Sequence, residues 1–170
     1  MREWLIVDGY NVINSWTDFA KLRKDNLEHA RDLLREKILE YAVFKGYSGL
    51  LVFDAQEVQG GAEEENYGAV TVIYTDEGET ADSWIERKTY ELNKNGDKVF
   101  VVTSDYAEQI NILGSGAYRI SAREFKEEYR RAKKQIEEKV HATASGTGRN
   151  ELGGRLHEHV RAHFEKLRRR

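Results

Sequence analysis

Three aspartates have the surroundings that metal-assisted phosphodiester chemistry needs: Asp8 in LIVDGYN, Asp82 in GETADSWIE and Asp105 in VFVVTSDY. Hydrolysis of a phosphodiester at neutral pH requires a nucleophilic hydroxide and compensation for charge that builds in the transition state. A divalent cation supplies both, by lowering the pKa of bound water and clamping the reacting oxygens. Mg²⁺ and Mn²⁺ are hard ions that take carboxylate oxygen, from a few protein ligands plus water. Asp8, Asp82 and Asp105 could supply those ligands, with Asp54 of LLVFDAQ as a fourth or supporting member. Their like charges repel without an ion, so filling the site is expected to stabilise the fold. Each acid taken alone also has an ordinary role, because Asp after a strand often caps a helix and Asp-Gly is a common turn pair. The three together favour the chemistry.

The elements around them give the acids a common place. Leu5–Val7 and Val99–Thr103 are near-continuous apolar runs rich in β-branched residues. Such runs read as parallel strands buried on both faces. An acid just past the C-terminal end of such a strand lies on the rim where open α/β sheets bind ligands. Asp82 instead enters in the first turn of a helix capped by Thr80, with Ala81, Trp84, Ile85, the Lys88 stem and Leu92 as its core stripe.

Further strands are expected at Leu50–Phe53, Ala69–Tyr74 and, as an edge, Tyr118–Ile120. A polar stretch after Asp8 leads to Asp25-Asn26-Leu27-Glu28, a capping box for a helix with Leu27, Ala30, Leu34, Ile38, Tyr41 and Ala42 on one face and Gly46 as its stop. Gln56–Gly68 reads as an acidic loop, and a short helix is expected from Ser104 or Asp105 to near Gly114. A second capping box, Ser121–Glu124, opens a long basic helix to about Val140. Strands alternating with helices give an α/β fold, a doubly wound, mostly parallel sheet. Thr143–Asn150 reads as a flexible linker, followed by an amphipathic basic tail. In that tail His159 and His163 share a helical face, but with no third ligand at sensible spacing they read as solvated.

At 170 residues the chain can bury a sizeable core. Its longest apolar run, Leu50–Phe53, is far too short to cross a membrane. No signal-peptide pattern precedes the first strand, and with no cysteine a cytoplasmic location is expected. Charge is unevenly spread: Met1–Tyr118 carries 12 Lys/Arg against 22 Asp/Glu (−10), whereas Arg119–Arg170 carries 15 against 8 (+7). An acidic body with a basic C-terminal third suits carboxylates for metal and cations for a polyanion. Arg119 and Arg123 lie nearest the strand ends and are the expected grips on nucleic acid; Lys126, Arg130, Arg131, Lys133 and Lys134 extend the basic face. Tyr10, Tyr106 and Trp16 flank the acids as candidate stacking rings.

VDGYN at Asp8–Asn11, FDA at Asp54, ETAD at Asp82 and TSD at Asp105 together resemble the NYN domains, a branch of the PIN-like nucleases, and most of all their YacP-type members. The resemblance spans roughly residues 3–140. It implies a three-layer PIN-like domain over 1–140, with 141–170 as linker and tail. It also implies metal-dependent cleavage of single-stranded mRNA, leaving 5′-phosphate and 3′-hydroxyl ends. The YacP-type proteins associate with ribosomes and cut mRNA in the A site during translation. By this resemblance Asp8, Asp82 and Asp105 become the metal-site acids with Mg²⁺ or Mn²⁺. Asn11 holds the Asp8 loop or touches the scissile phosphate. Ser104 and Thr103 shape the strand end beneath the metal, with Ser104 also counted among the RNA contacts. A monomer is expected, with mRNA and the ribosome as partners and no membrane.

Two other classes fit less well. A catalytically silent NYN-type RNA- or ribosome-binding module would not need three converging carboxylates. A phosphoacceptor receiver domain would match Asp8, Asp54 and Thr103 loosely, but Gly9 stands where a second acid belongs and the chain has no proline for its Lys-Pro pair.

Overall fold

A computed structural model describes residues 1–54, 64–104 and 116–145, the last without its side chain. The chain divides into two compact units, Met1–Lys126 and Glu127–Arg170. The first holds a six-stranded sheet: β1 (Glu3–Asp8), β2 (Ser48–Phe53), β3 (Glu64–Asn66), β4 (Val70–Tyr74), β5 (Lys98–Val102) and β6 (Tyr118–Ile120). Their spatial order is β3-β4-β2-β1-β5-β6, parallel throughout except for the short edge strand β3, which runs antiparallel to β4.

Two crossovers set the layers. From β1 the chain passes through α1 (Gly9–Ser15), a 3₁₀ turn (Thr17–Phe19), α2 (Leu22–Asp25) and α3 (Leu27–Lys45) to β2. From β4 it passes through α4 (Ala81–Lys94) back across the sheet to β5. These two connections move in opposite directions along the sheet, so right-handed crossovers place α3 and α4 on opposite faces. The burial pattern agrees with that geometry. Ile6, Leu50, Val52, Ile73, Val99 and Val101 form one cluster with Ala81, Ile85 and Leu92 of α4. Their neighbours Leu5, Val7 and Leu51, also fully buried, point to the other face by strand alternation. There α3 buries Ala30, Leu34, Ile38, Tyr41 and Ala42.

The helix signals are largely where the sequence puts them, with shifts of local origin. Thr80 caps α4 by accepting from the Ser83 N–H at 3.2 Å. Asn26, rather than Asp25, caps α3, its Oδ1 accepting from the His29 N–H at 3.0 Å. Gly46 ends α3 with φ of 75°, a left-handed turn that only glycine adopts without a Cβ penalty. Ser121 caps the last described helix, α5 (Ala122–Ser145), accepting from the Glu124 N–H at 3.1 Å while its hydroxyl donates to the Glu124 carboxylate at 3.0 Å. That helix runs past Val140 and takes in the first residues expected to be linker. The second unit is described as far as Ser145; within it Arg130 pairs with Glu127 at 3.4 Å and Lys133 lies over the Tyr129 ring. Among the described residues no helix is long and apolar enough to cross a membrane.

Candidate active-site rim

The reversal of strand order falls between β1 and β5, since β1 pairs with β2 on one side and β5 on the other. At such a switch point the connections leave in opposite directions and open a crevice beyond the strand ends. Asp8 is the last residue of β1, level with Val52 of β2, and is only 8 % exposed. Val7 pairs with Val102, so Asp8 comes level with Thr103, whose side chain is fully buried. Asp54 directly follows β2 and is half-buried. A helix that returns antiparallel to its strands begins at their C-terminal rim, and α4 does so with Asp82 in its first turn, also half-buried. Asp8, Asp54 and Asp82 therefore share one edge of the sheet. Asp105 and Tyr106 lie outside the described residues.

Local chemistry explains why these positions are held. Asp8-Gly9 does not form the turn its composition allows: Gly9 starts α1, with Asp8 at the N-cap position in extended conformation. A Cβ built on Gly9 would lie 2.2 Å from Phe53 Cε1 and 2.6 Å from Cδ1, closer than real atoms approach. Glycine thus lets the start of α1 lie against the end of β2. The segment between β4 and α4 is pinned by Thr75, a buried residue the sequence did not single out. Its N–H donates to the Phe53 carbonyl at 3.1 Å, and its hydroxyl donates to the Glu79 carbonyl at 2.8 Å. Fixing Glu79 fixes the Thr80 cap and so the turn that carries Asp82. Glu79 itself pairs with Arg87 at 2.5 Å.

Asn11 lies in α1. From α1 its Oδ1 accepts from the Ser104 N–H at 2.8 Å. Ser104 Oγ in turn accepts from the Ala122 N–H at 3.0 Å, and the Thr103 N–H donates to the Ile120 carbonyl at 3.0 Å. A continuous relay thus ties the Asp8 helix, the end of β5 and the start of α5, and it fixes the residue that precedes Asp105. Arg123 lies exposed in the first turn of α5, three residues past Ile120, which is level with Val102; it therefore stands at the rim. Arg119 is exposed on β6 one register step further down, level with Val101. Trp16 belongs to the core instead of the surface: it is 2 % exposed, its Nε1 donates to the Ala122 carbonyl at 2.8 Å, and it stacks near Phe19 and Phe125. Tyr10 remains half-buried at the rim, 4.9 Å from Phe53 between centroids, with its hydroxyl accepting from Arg31 at 3.2 Å.

The donor set at this rim is carboxylate oxygen, which suits a hard divalent ion such as Mg²⁺ or Mn²⁺. Among the described residues no three His, Cys, Asp or Glu side chains converge closely enough to hold one. Asp8, Asp54 and Asp82 are the part of the acidic set that the structure places on this rim.

The family model of the YacP-like NYN domain matches residues 5–169. The uncharacterized protein YacP of Bacillus subtilis (strain 168) is 40% identical over 165 residues, which is 97% of this chain and 96% of that protein. Among solved structures, Rae1 (YacP) from Bacillus subtilis superimposes with a TM-score of 0.74 at 40% identity, over 97% of this chain and 94% of that one. A tryptophan-to-leucine mutant of Rae1 gives a TM-score of 0.78 at the same identity, over 98% and 95%. The chain belongs to the YacP-like NYN domain family, a nuclease-type family with an RNA-related function.

Proposed function

We propose that this chain is a divalent-metal-dependent endoribonuclease that cuts single-stranded mRNA at the ribosomal A site during translation. The observation that carries the reading is the placement of Asp8, Asp54 and Asp82 on one rim, at the switch point between β1 and β5. Membership of a nuclease-type family supports it. Asp8, Asp82 and Asp105, with Asp54 in support, would hold Mg²⁺ or Mn²⁺, which supplies a more acidic water and charge compensation at the phosphate. The chain's own residues position. Asp8 is nearly closed to solvent, and a cation at the rim would offset the cost of keeping its charge there. Asn11 holds the end of β5 through Ser104 and keeps the third acid's backbone approach in register with Asp8. Arg123 and Arg119 offer exposed charge for the RNA backbone beside the rim, and the remaining cations of the basic third suit contact with ribosomal RNA.

The test is cleavage of a labelled mRNA on translating ribosomes by wild type, Asp8→Asn and Asp82→Asn. Each substitution is expected to slow cutting by at least about a hundredfold, since loss of even an outer support of a metal ligand costs about 10–100-fold. Circular dichroism should show both variants folded. Undiminished cutting by either variant removes that acid from the site.

A further inference from the structure

Beside the acidic rim lies a basic and aromatic shelf on the α3 side, of which the sequence points only to Tyr10. Its floor is a row of rings that follows the strand ends. Tyr10, just past β1, lies 4.9 Å from Phe53 at the end of β2, and Phe53 stacks 6.0 Å from Tyr74 at the end of β4. Tyr10 and Tyr74 are both half-buried. Arg31, from the second turn of α3, reaches over this row. One of its guanidinium nitrogens donates to the Tyr10 hydroxyl at 3.2 Å. The Tyr74 hydroxyl, pushed up by burial and by Glu65, is drawn back by the charge of Arg31.

The pairing of Arg31 is unusual for a half-buried arginine. A guanidinium carries five N–H donors and ordinarily meets a carboxylate. Arg35, one turn further along α3, does so: it pairs with Asp32 at 3.0 Å, donates to the Tyr67 hydroxyl at 3.2 Å and lies 4.2 Å above the Tyr67 ring. Arg31 instead meets a neutral hydroxyl, and among the described residues no carboxylate lies within ion-pairing distance of it. Its guanidinium thus stands at the hydroxyl of Tyr10, two residues past Asp8, which aims its fork.

We infer that Arg31 grips a backbone phosphate of single-stranded RNA next to the acids, while Tyr10 and Tyr74 offer ring faces to its bases. The strand then enters the rim from the α3 side, opposite Arg119 and Arg123 along the sheet edge. This rests on the reading of the rim as an RNA-cutting site. A bidentate guanidinium is the group suited to such a phosphate, and rings beside it give sequence-tolerant stacking.

The full chain, held in EDTA to stop cutting, is titrated into a fluorescein-labelled single-stranded oligoribonucleotide over a series of salt concentrations. Arg31→Gln is expected to weaken binding several-fold and to flatten the slope of log K against log salt by about 0.7, the value of one phosphate contact on a single strand. Arg31→Lys is expected to retain the slope and lose affinity, because the charge stays and the fork goes. Arg31 serving only to staple α3 to α1 would leave affinity and slope of folded Arg31→Gln at wild-type values, which overturns the inference. Should that variant fail to fold, wild-type affinity in Arg31→Lys overturns it equally. Wild type that cuts RNA while these variants bind normally sinks the shelf and leaves the nuclease standing; wild type that neither binds nor cuts sinks both. Arg31-dependent binding by a protein that never cuts keeps the shelf and removes the nuclease.

Discussion

Gly9 decides how close α1 comes to the strand ends, and with it where Asp8 stands. Any side chain there would collide with the Phe53 ring at 2.2 to 2.8 Å. The ring cannot simply swing aside, because it is flanked by Tyr10 and Tyr74. Gly9→Ala is therefore expected to destabilise the fold by about 1–3 kcal/mol, the usual cost of overpacking. It should also reduce cutting out of proportion to its stability loss, since Asp8 must move. Chemical denaturation and mRNA cleavage on the same preparation check both parts; unaltered stability would mean that the contact is slack. The Asn11 bond to Ser104 works at the same scale, joining two acid-bearing segments 93 positions apart by one amide oxygen.

Among elements, the β3–β4 hairpin has a pH dependence of its own. Tyr67 closes it, its N–H donating to the Val70 carbonyl at 2.8 Å and its hydroxyl donating to Glu65. Burial, then the bond to Glu65, pushes the Tyr67 hydroxyl up from 10.0 to about 12 against the opposing charge of Arg35. A folded pKa above the unfolded one means that the neutral hydroxyl is favoured by folding. Its stabilising contribution is complete below pH 10.0 and is lost as pH rises toward about 12. Wild type should lose stability across that interval more steeply than Tyr67→Phe in urea denaturation at matched pH. Parallel declines would contradict the assignment. This hairpin also lies beyond what the sequence makes legible. The β-branched runs around Asp8 and before Ser104 are long enough to reveal buried parallel strands, and Thr80 and Ser121 announce their helices. By contrast, Glu64–Asn66 is three polar residues and is a strand only because the edge of β4 pairs with it. Likewise α1 and α2 are too short for periodicity, and tertiary contacts such as Gly9 on Phe53 hold them. Arg31 is not legible in the sequence, because nothing in an ARD triplet tells that Tyr10 lies across from it.

At the scale of the molecule, charge separates the acid-bearing body, −10 through Tyr118, from a C-terminal third of +7. A polyanion should meet that basic third first, with the acids engaging one phosphate when neutralised by metal. Within the second unit Arg131 is exposed and Arg130 has only a weak, solvent-facing partner in Glu127 at 3.4 Å, so neither charge is committed to the fold. Reversal of both, Arg130→Glu with Arg131→Glu, is expected to weaken co-sedimentation with ribosomes and to leave the thermal transition near that of wild type. Unchanged co-sedimentation would remove the basic helix from docking. The most direct measurement of the central claim is cleavage of a labelled mRNA by the wild-type chain in Mn²⁺, in Mg²⁺ and in EDTA, each with and without translating ribosomes. Cutting that requires metal and appears on ribosomes is expected. No cutting under any condition, with ribosome binding intact, would contradict it and make the chain a silent binding module.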